Sequence, residues 1–87
     1  MNIEKIINEI RNPFTEQLTE DEFDIVCEVH HWIGKIHNNK IITLKWRKHD
    51  EFWIRPIFEA LNCKVAVWED EEDGSGIDIW RKGKFYK

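Results

Sequence analysis

Carboxylates are the most prominent chemically active side chains in this sequence. Five consecutive acids precede a Gly-Ser-Gly segment at 74–76: Glu69, Asp70, Glu71, Glu72 and Asp73. Adjacent like charges repel one another, so the run must be solvated or neutralised by cations or basic side chains. Two interpretations stay open: a solvated loop that aids solubility, and a docking loop for a basic partner. The spacing does not match an EF-hand loop, so we expect no dedicated calcium site.

Other reactive side chains do not combine into a recognisable site. Cys27 and His31 lie four residues apart, and Cys63 with His49 would be needed to complete a zinc set. This spacing matches no zinc-finger, zinc-ribbon or metalloprotease pattern. Ser75 is the only serine, and no histidine lies near it in the sequence. We therefore expect no metal, no cofactor and no catalytic residue, and we predict that the protein is not an enzyme.

Five tryptophans are many for a chain of 87 residues. Trp68 and Trp80 flank the acidic run on two segments that alternate apolar and polar residues, a pattern typical of a β-hairpin. If the valines and isoleucines of these segments face the core, both indoles share the opposite face. Because tryptophan is enriched at interface hot spots, we expect Trp68 and Trp80 to be exposed apolar anchors. Trp46 and Trp53 are expected in the core.

Two amphipathic helices are predicted at the start of the chain. Isoleucines at helical spacing indicate the first helix: Ile3, Ile6, Ile7 and Ile10. Thr19 and Glu22 form a capping box that starts a second helix over 20–37, with Leu18 and Phe23 at the positions of a hydrophobic staple. The inward side of this helix is expected to hold Phe23, Val26, Val29, Ile33 and Ile36.

The remaining elements complete the predicted fold. A strand over 40–47, a helix over 51–61 and a hairpin over 63–80 follow from the patterning. A strand, a helix and a strand in succession are typical of a βαβ unit with parallel strands, after which the last strand returns antiparallel. We predict a single α+β domain over 1–87. It has the order α-α-β-α-β-β, with helices packed on one face of a three-stranded mixed sheet that ends in a C-terminal β-hairpin.

The formal net charge of −4 is unevenly distributed. Residues 1–28 carry −6, residues 29–68 carry +4 and residues 69–87 carry −2. This alternation argues against a uniformly basic nucleic-acid binder and favours a protein that meets a basic surface through its acidic parts. No apolar run is long enough to cross a membrane, and no signal-peptide core is found. With only two cysteines, we expect reduced thiols and a cytoplasmic location.

A rival interpretation concerns the outer face of the predicted hairpin. Lys45, Arg47, Trp68 and Trp80 could together bind single-stranded nucleic acid by stacking and charge neutralisation. The neighbouring acidic run would repel phosphate, so direct binding of nucleic acid is ranked below binding of a protein. A virion or oligomer-forming structural component is a further alternative, and it predicts self-association. The oligomeric state is left open.

A long helix, a strand of the type ITLKW, a helix ending in FEALN and a hairpin from CKVAVW to IDIW follow one another over residues 19–80. This order resembles the layout of small, uncharacterised phage-encoded α/β proteins. The opening segment MNIEKIINEIRN is similar to the start of a small acidic anti-CRISPR protein of the type II-A class. The resemblance implies an inhibitor of host defence that acts in the host cytosol and occupies a basic, nucleic-acid-binding groove. It transfers no functional residue.

The leading hypothesis is therefore a small acidic protein-interaction module of the phage-inhibitor type. It would bind a basic, nucleic-acid-binding host protein in the manner of a DNA mimic, through residues 69–73 with Trp68 and Trp80 as apolar anchors.

Overall fold

The structure is a computed structural model, and it describes residues 2–83 of the chain. Within this range the elements are α1 (Ile3–Arg11), α2 (Glu20–Asn39), β1 (Ile41–Lys45), a 3₁₀ helix (Lys48–Asp50), α3 (Glu51–Ala60), β2 (Cys63–Asp70) and β3 (Gly74–Arg81). The order of helices and strands is the predicted α-α-β-α-β-β, and the predicted α+β class is confirmed.

Polar side chains fix the starts of the first two helices. The Asn2 side chain caps α1 by accepting a hydrogen bond from the N–H of Lys5. The predicted capping box of α2 is confirmed: the N–H of Glu22 donates to the Thr19 hydroxyl at 3.2 Å, and the N–H of Thr19 donates to the Glu22 carboxylate at 2.9 Å. That carboxylate also meets the Lys5 ammonium at 3.1 Å, which joins α1 to α2. The hydrogen bond from Thr19, followed by that from Lys5, lowers the pKa of Glu22 to about 2.

The strand pairing differs from the predicted mixed sheet. The strand order is β1-β3-β2, and both ladders are antiparallel. β2 and β3 are joined by a short turn and pair as a hairpin. Antiparallel strand pairs are slightly more stable per residue than parallel ones, which favours pairing of β1 with β3 over pairing of β1 with β2. β3 therefore lies between β1 and β2, which run in the same direction without pairing with each other.

One face of the sheet packs against the helices, as predicted, and forms the hydrophobic core. Ile77 and Ile79 of β3 are fully buried, and they belong to one cluster with Val29 of α2 and with Ile54 and Phe58 of α3. No helix among the described residues covers the opposite face, where Ile41, Thr43 and Lys45 are exposed, and we call it the open face.

Phe23 does not face the core as the sequence pattern predicts. Its side chain is 56% exposed, whereas Trp32 of α2 is buried and stacks on Trp53 with ring centroids 6.0 Å apart. Nine residues separate positions 23 and 32, which is two and a half turns of an α-helix, so the two side chains point in opposite directions. Burial of the larger indole at position 32 therefore turns Phe23 toward solvent.

Candidate functional site

The five consecutive acids lie at the far end of the β2–β3 hairpin, and we call residues 69–73 the acidic tip. All five are exposed. The Asp70 carboxylate accepts hydrogen bonds from the N–H of Glu72 at 2.7 Å and of Asp73 at 3.3 Å, which holds the turn. Glu69 pairs with the Lys48 ammonium of the 3₁₀ helix. Two of the acids thus stabilise the tip, and the other three project their carboxylates into solvent.

Trp46 lies against the acidic tip, although the sequence pattern predicts it in the core. Its side chain is 63% exposed, and its backbone N–H donates to the Ser75 carbonyl at 2.8 Å. Its ring covers Gly74, where an added Cβ would overlap the indole. Trp46 follows the last residue of β1 and has φ 66, so the chain leaves the strand before the alternation reaches it. The polar residues that follow it, 47–50, are the sequence signal that β1 ends here.

Trp68 and Trp80 lie on the open face of the sheet, as predicted, but both are partly buried and not exposed as expected. Trp68 pairs with Gly76 next to the acidic tip, whereas Trp80 pairs with Lys64 and Ile41 near the opposite end of β3. Four residues along a strand correspond to about 13 Å. The structure therefore places one predicted anchor beside the acids and the other well away from them.

The outward-facing residues of the three strands form a regular grid in three rows. Cross-strand partners define the rows as Lys45–Gly76–Trp68, Thr43–Asp78–Ala66 and Ile41–Trp80–Lys64. Each outer row carries one lysine and one indole. The middle row carries Asp78, the single acid among these nine residues.

Asp78 holds Trp68 in place. The indole N–H of Trp68 donates to one carboxylate oxygen of Asp78 at 3.1 Å, and the Thr43 hydroxyl donates to the same oxygen at 2.8 Å. A Cβ added at Gly76 would lie 2.5 Å from the Trp68 ring, so the ring lies directly over that glycine. The indole is therefore held over Gly76 by this contact and by the Asp78 carboxylate.

Basic residues gather near the end of the sheet that carries Trp80. A shallow pocket of about 370 Å³ has an apolar floor and charged walls, and it is lined by Lys40, Ile41, Ala66, Asp78, Trp80 and Arg81. The N–H of Arg81 donates to the Lys40 carbonyl at 3.2 Å, which brings these two residues together. Lys64 lies beside Trp80 in the same row of the grid.

Arg47, which the nucleic-acid interpretation placed on the outer face, lies elsewhere. Its guanidinium pairs with Glu28 at 3.0 Å and with Asp50 at 2.6 Å, and it lies 5.3 Å from the ring centroid of Trp32. The hydrogen bond to the Glu28 carboxylate is the main reason that the pKa of Arg47 is raised. Arg47 thus covers the edge of the core, because its planar cation can pair with two carboxylates and stack on an indole at once.

The cysteines and histidines do not assemble a reactive centre within residues 2–83. Among these residues, no three His, Cys, Asp or Glu side chains come together so that they could hold a metal ion. Cys63 is buried in the core, and burial raises the pKa of its thiol to about 11. A thiol of this kind stays protonated at neutral pH and is a poor nucleophile. Cys27 is exposed on α2.

The fold and its surfaces define a small open-faced α+β domain whose hairpin carries acids at one end and bases toward the other. No helix among residues 2–83 has the length and apolar character that a membrane span needs. Comparison of the chain with protein-family models, with curated proteins and with solved structures gave no match.

Proposed function

We propose that this protein is a small acidic interaction module that binds a basic, nucleic-acid-binding surface of a partner protein and inhibits the partner by occupying it. The acidic tip makes the contact, and the partner's lysine and arginine side chains pair with its carboxylates in place of phosphates. The resemblance to phage-type and anti-CRISPR proteins supports a defence protein in the host cytoplasm as the partner.

The observation that carries this proposal is the exposure of three carboxylates beside two fixed indoles. Glu71, Glu72 and Asp73 project from a turn that Asp70 closes, so their geometry is defined before a partner arrives. Indoles at an interface supply a large apolar contact area, and tryptophan is enriched among the residues that dominate binding energy.

Trp46 and Trp68 are the two indoles that the acidic tip brings into this contact. Each ring rests on a glycine of β3, Gly74 for Trp46 and Gly76 for Trp68. A side chain that is already held in one position loses little conformational entropy on binding. In this proposal Trp46 takes the anchoring role that was predicted for Trp80, which lies toward the other end of the hairpin.

The negative charge of the tip determines how fast the protein associates with its partner and how strongly that rate depends on salt. An exposed cluster of one sign attracts a basic surface over a distance of about 10 Å at 0.1 M salt. Attraction of this kind speeds association more than it slows dissociation. We expect the association rate to fall steeply as salt is raised.

The decisive experiment neutralises the acids of the tip. The protein is used to capture basic proteins from a nuclease-treated bacterial lysate, and the captured partner is purified and titrated by calorimetry at low and high salt. The triple variant Glu71→Gln, Glu72→Gln, Asp73→Asn should bind on the order of tenfold more weakly at low salt, and the difference should shrink at high salt. Nucleic acid added to the complex should displace the protein.

A matched control removes the same amount of charge elsewhere. Glu20, Asp21 and Asp24 are exposed on the first turns of α2, and their neutralisation changes the net charge equally. This variant should keep nearly full affinity. Equal weakening by both triple variants would mean that only net charge matters, and unchanged affinity in the tip variant would refute the proposed contact.

A further inference from the structure

We infer that the open face of the sheet is a second binding surface, and that its ligand is single-stranded nucleic acid. The inference does not rest on the acidic tip or on its partner. It rests on the grid of outward-facing residues on β1, β2 and β3, in which each outer row pairs an indole with a lysine. Flat aromatic faces that stack bases, combined with cations that follow the backbone, are the usual means of binding single strands.

Trp68 provides the first stacking position. One face of its ring is covered by Gly76, and its N–H is bonded to Asp78 at 3.1 Å. The ring can therefore present only its outward face, which is the orientation that a stacked base requires. Lys45, in the same row, supplies a cation on the far strand.

Trp80 provides the second stacking position. Ile41 lies next to it in the same row and is 50% exposed, so the two side chains form an apolar floor. Lys40 lines the same shallow pocket, and Lys64 borders Trp80 on the β2 side. A base on the indole would thus have cations on both sides for its phosphates.

The charge of this face is opposite to that of the whole chain. Within the grid the two lysines outnumber the single acid, and the Asp78 oxygen nearest the indole already accepts two hydrogen bonds. The acids that argue against phosphate binding lie beyond the Trp68 row, and that row is itself about 13 Å along β3 from Trp80. A strand bound from the Trp80 end would run toward the tip and stop before it.

Charge complementarity favours a polyanion over a protein as the occupant. The face combines aromatic rings with cations, and stacking on indoles tolerates any base sequence. We therefore expect weak sequence preference and a strong dependence on salt. One phosphate contact each from Lys40, Lys45 and Lys64 predicts that the logarithm of the association constant falls with the logarithm of salt at a slope of about −2.

The test uses a fluorescein-labelled oligothymidylate of about 12 nucleotides and fluorescence anisotropy from 50 to 200 mM NaCl. Trp80→Ala should weaken binding on the order of tenfold, and Trp80→Phe should restore much of it, because phenylalanine also stacks. Lys64→Ala should reduce the size of the salt slope by about 0.7. Circular dichroism of each variant checks that the fold is kept.

Two control variants separate this surface from the acidic tip. Trp46→Ala should leave oligonucleotide binding unchanged, because Trp46 lies outside the grid. The tip-neutralised triple variant should bind the oligonucleotide equally well or more tightly. No binding by the wild-type protein at 50 mM NaCl, or equal binding by wild type and Trp80→Ala, would overturn the inference. Binding of the basic partner through the tip would be unaffected by that result.

Discussion

The acidic tip and the open face are built on the same two strands, and their comparison shows how one hairpin can carry two opposite surfaces. At the tip, Trp46 rests on Gly74, which pairs with Asp70; on the open face, Trp68 rests on Gly76 in a row with Lys45. The architecture of the two positions is similar and the sign of the charge differs. The net charge of −4 therefore has the sign of the tip but not that of the open face.

Each surface also uses one aspartate as a structural residue. Asp70 accepts two backbone N–H groups and closes the turn of the tip. Asp78 accepts the Trp68 indole and the Thr43 hydroxyl and fixes the open face. Because these carboxylates are engaged within the chain, the acids available to a partner are fewer than the sequence count suggests.

The largest effect should come from filling the space over Gly76. In Gly76→Val the new Cβ would lie 2.5 Å from the Trp68 ring and 3.1 Å from the Leu44 carbonyl, so the indole must leave its position. We expect a loss of about 1–3 kcal/mol in the free energy of unfolding, from overpacking. Oligonucleotide affinity should also fall, because the displaced indole can no longer stack. Denaturant unfolding measures the stability, and fluorescence anisotropy measures the oligonucleotide affinity.

Gly34→Ala is the matched control for that substitution. Nothing lies within 4 Å of a Cβ added at Gly34, and the residue lies inside α2. Alanine there should stabilise the protein by about 0.5–1 kcal/mol. If Gly76→Val were as stable as the wild-type protein, the close seating of Trp68 would be wrong.

The corresponding change at the tip should be somewhat smaller. Gly74 has φ 83, and a Cβ there would overlap the Trp46 ring. Gly74→Ala should cost roughly 1–2 kcal/mol, since a left-handed conformation is unfavourable for alanine. The Trp46 indole should be displaced, so partner binding should weaken while oligonucleotide binding stays unchanged. Weakening of both activities would show that displacement of Trp46 also disturbs Trp68, the indole that the two surfaces share.

A substitution at Glu22, remote from both surfaces, tests whether the stability of the fold can be lowered without a change in binding. The pKa of Glu22 is lowered to about 2, so its contribution to stability is present above pH 4.5 and is lost as the pH falls toward 2. Glu22→Gln should lower the melting temperature at pH 7 and flatten its dependence on pH over that window. The pKa of Glu9 is also lowered, first by the N–H of Phe14, so some acid sensitivity should remain.

Thermal unfolding by circular dichroism between pH 7 and pH 2 measures this effect. Glu4→Gln is the control, since Glu4 is exposed in the first turn of α1. Binding by either surface at pH 7 should be the same in Glu22→Gln as in the wild-type protein. A pH profile identical to that of the wild type would contradict the assigned role of Glu22.

The smallest effect on stability is expected for Lys48→Ala. The pair of Lys48 with Glu69 is exposed, and such pairs contribute about 0–1 kcal/mol. Removal of the lysine leaves the tip more negative, so association with the basic partner should become faster at low salt and gain a steeper salt dependence. Stopped-flow fluorescence measures the rate, with Lys35→Ala on α2 as the control. Slower association would argue against electrostatic steering by the tip.

Local sequence patterns were sufficient for the elements and for much of the site. The capping box of Thr19 and Glu22, the order of helices and strands, and the exposure of the acidic run follow from short-range rules. The shared face of Trp68 and Trp80 follows from alternation along the strands. None of these features depends on what lies across the molecule.

The positions of Trp46, Trp32 and Arg47 were decided by tertiary structure. Stacking of Trp32 on Trp53 set the rotation of α2, and Arg47 then covered those rings instead of joining the open face. Pairing of β1 with β3 placed Trp46 next to Ser75, beside the tip, and Ile41 next to Trp80. The sequence by itself determined where the charges and rings occur along the chain. Their grouping into two surfaces came from the pairing of strands distant in sequence, because cross-strand neighbours are set by register and not by sequence spacing.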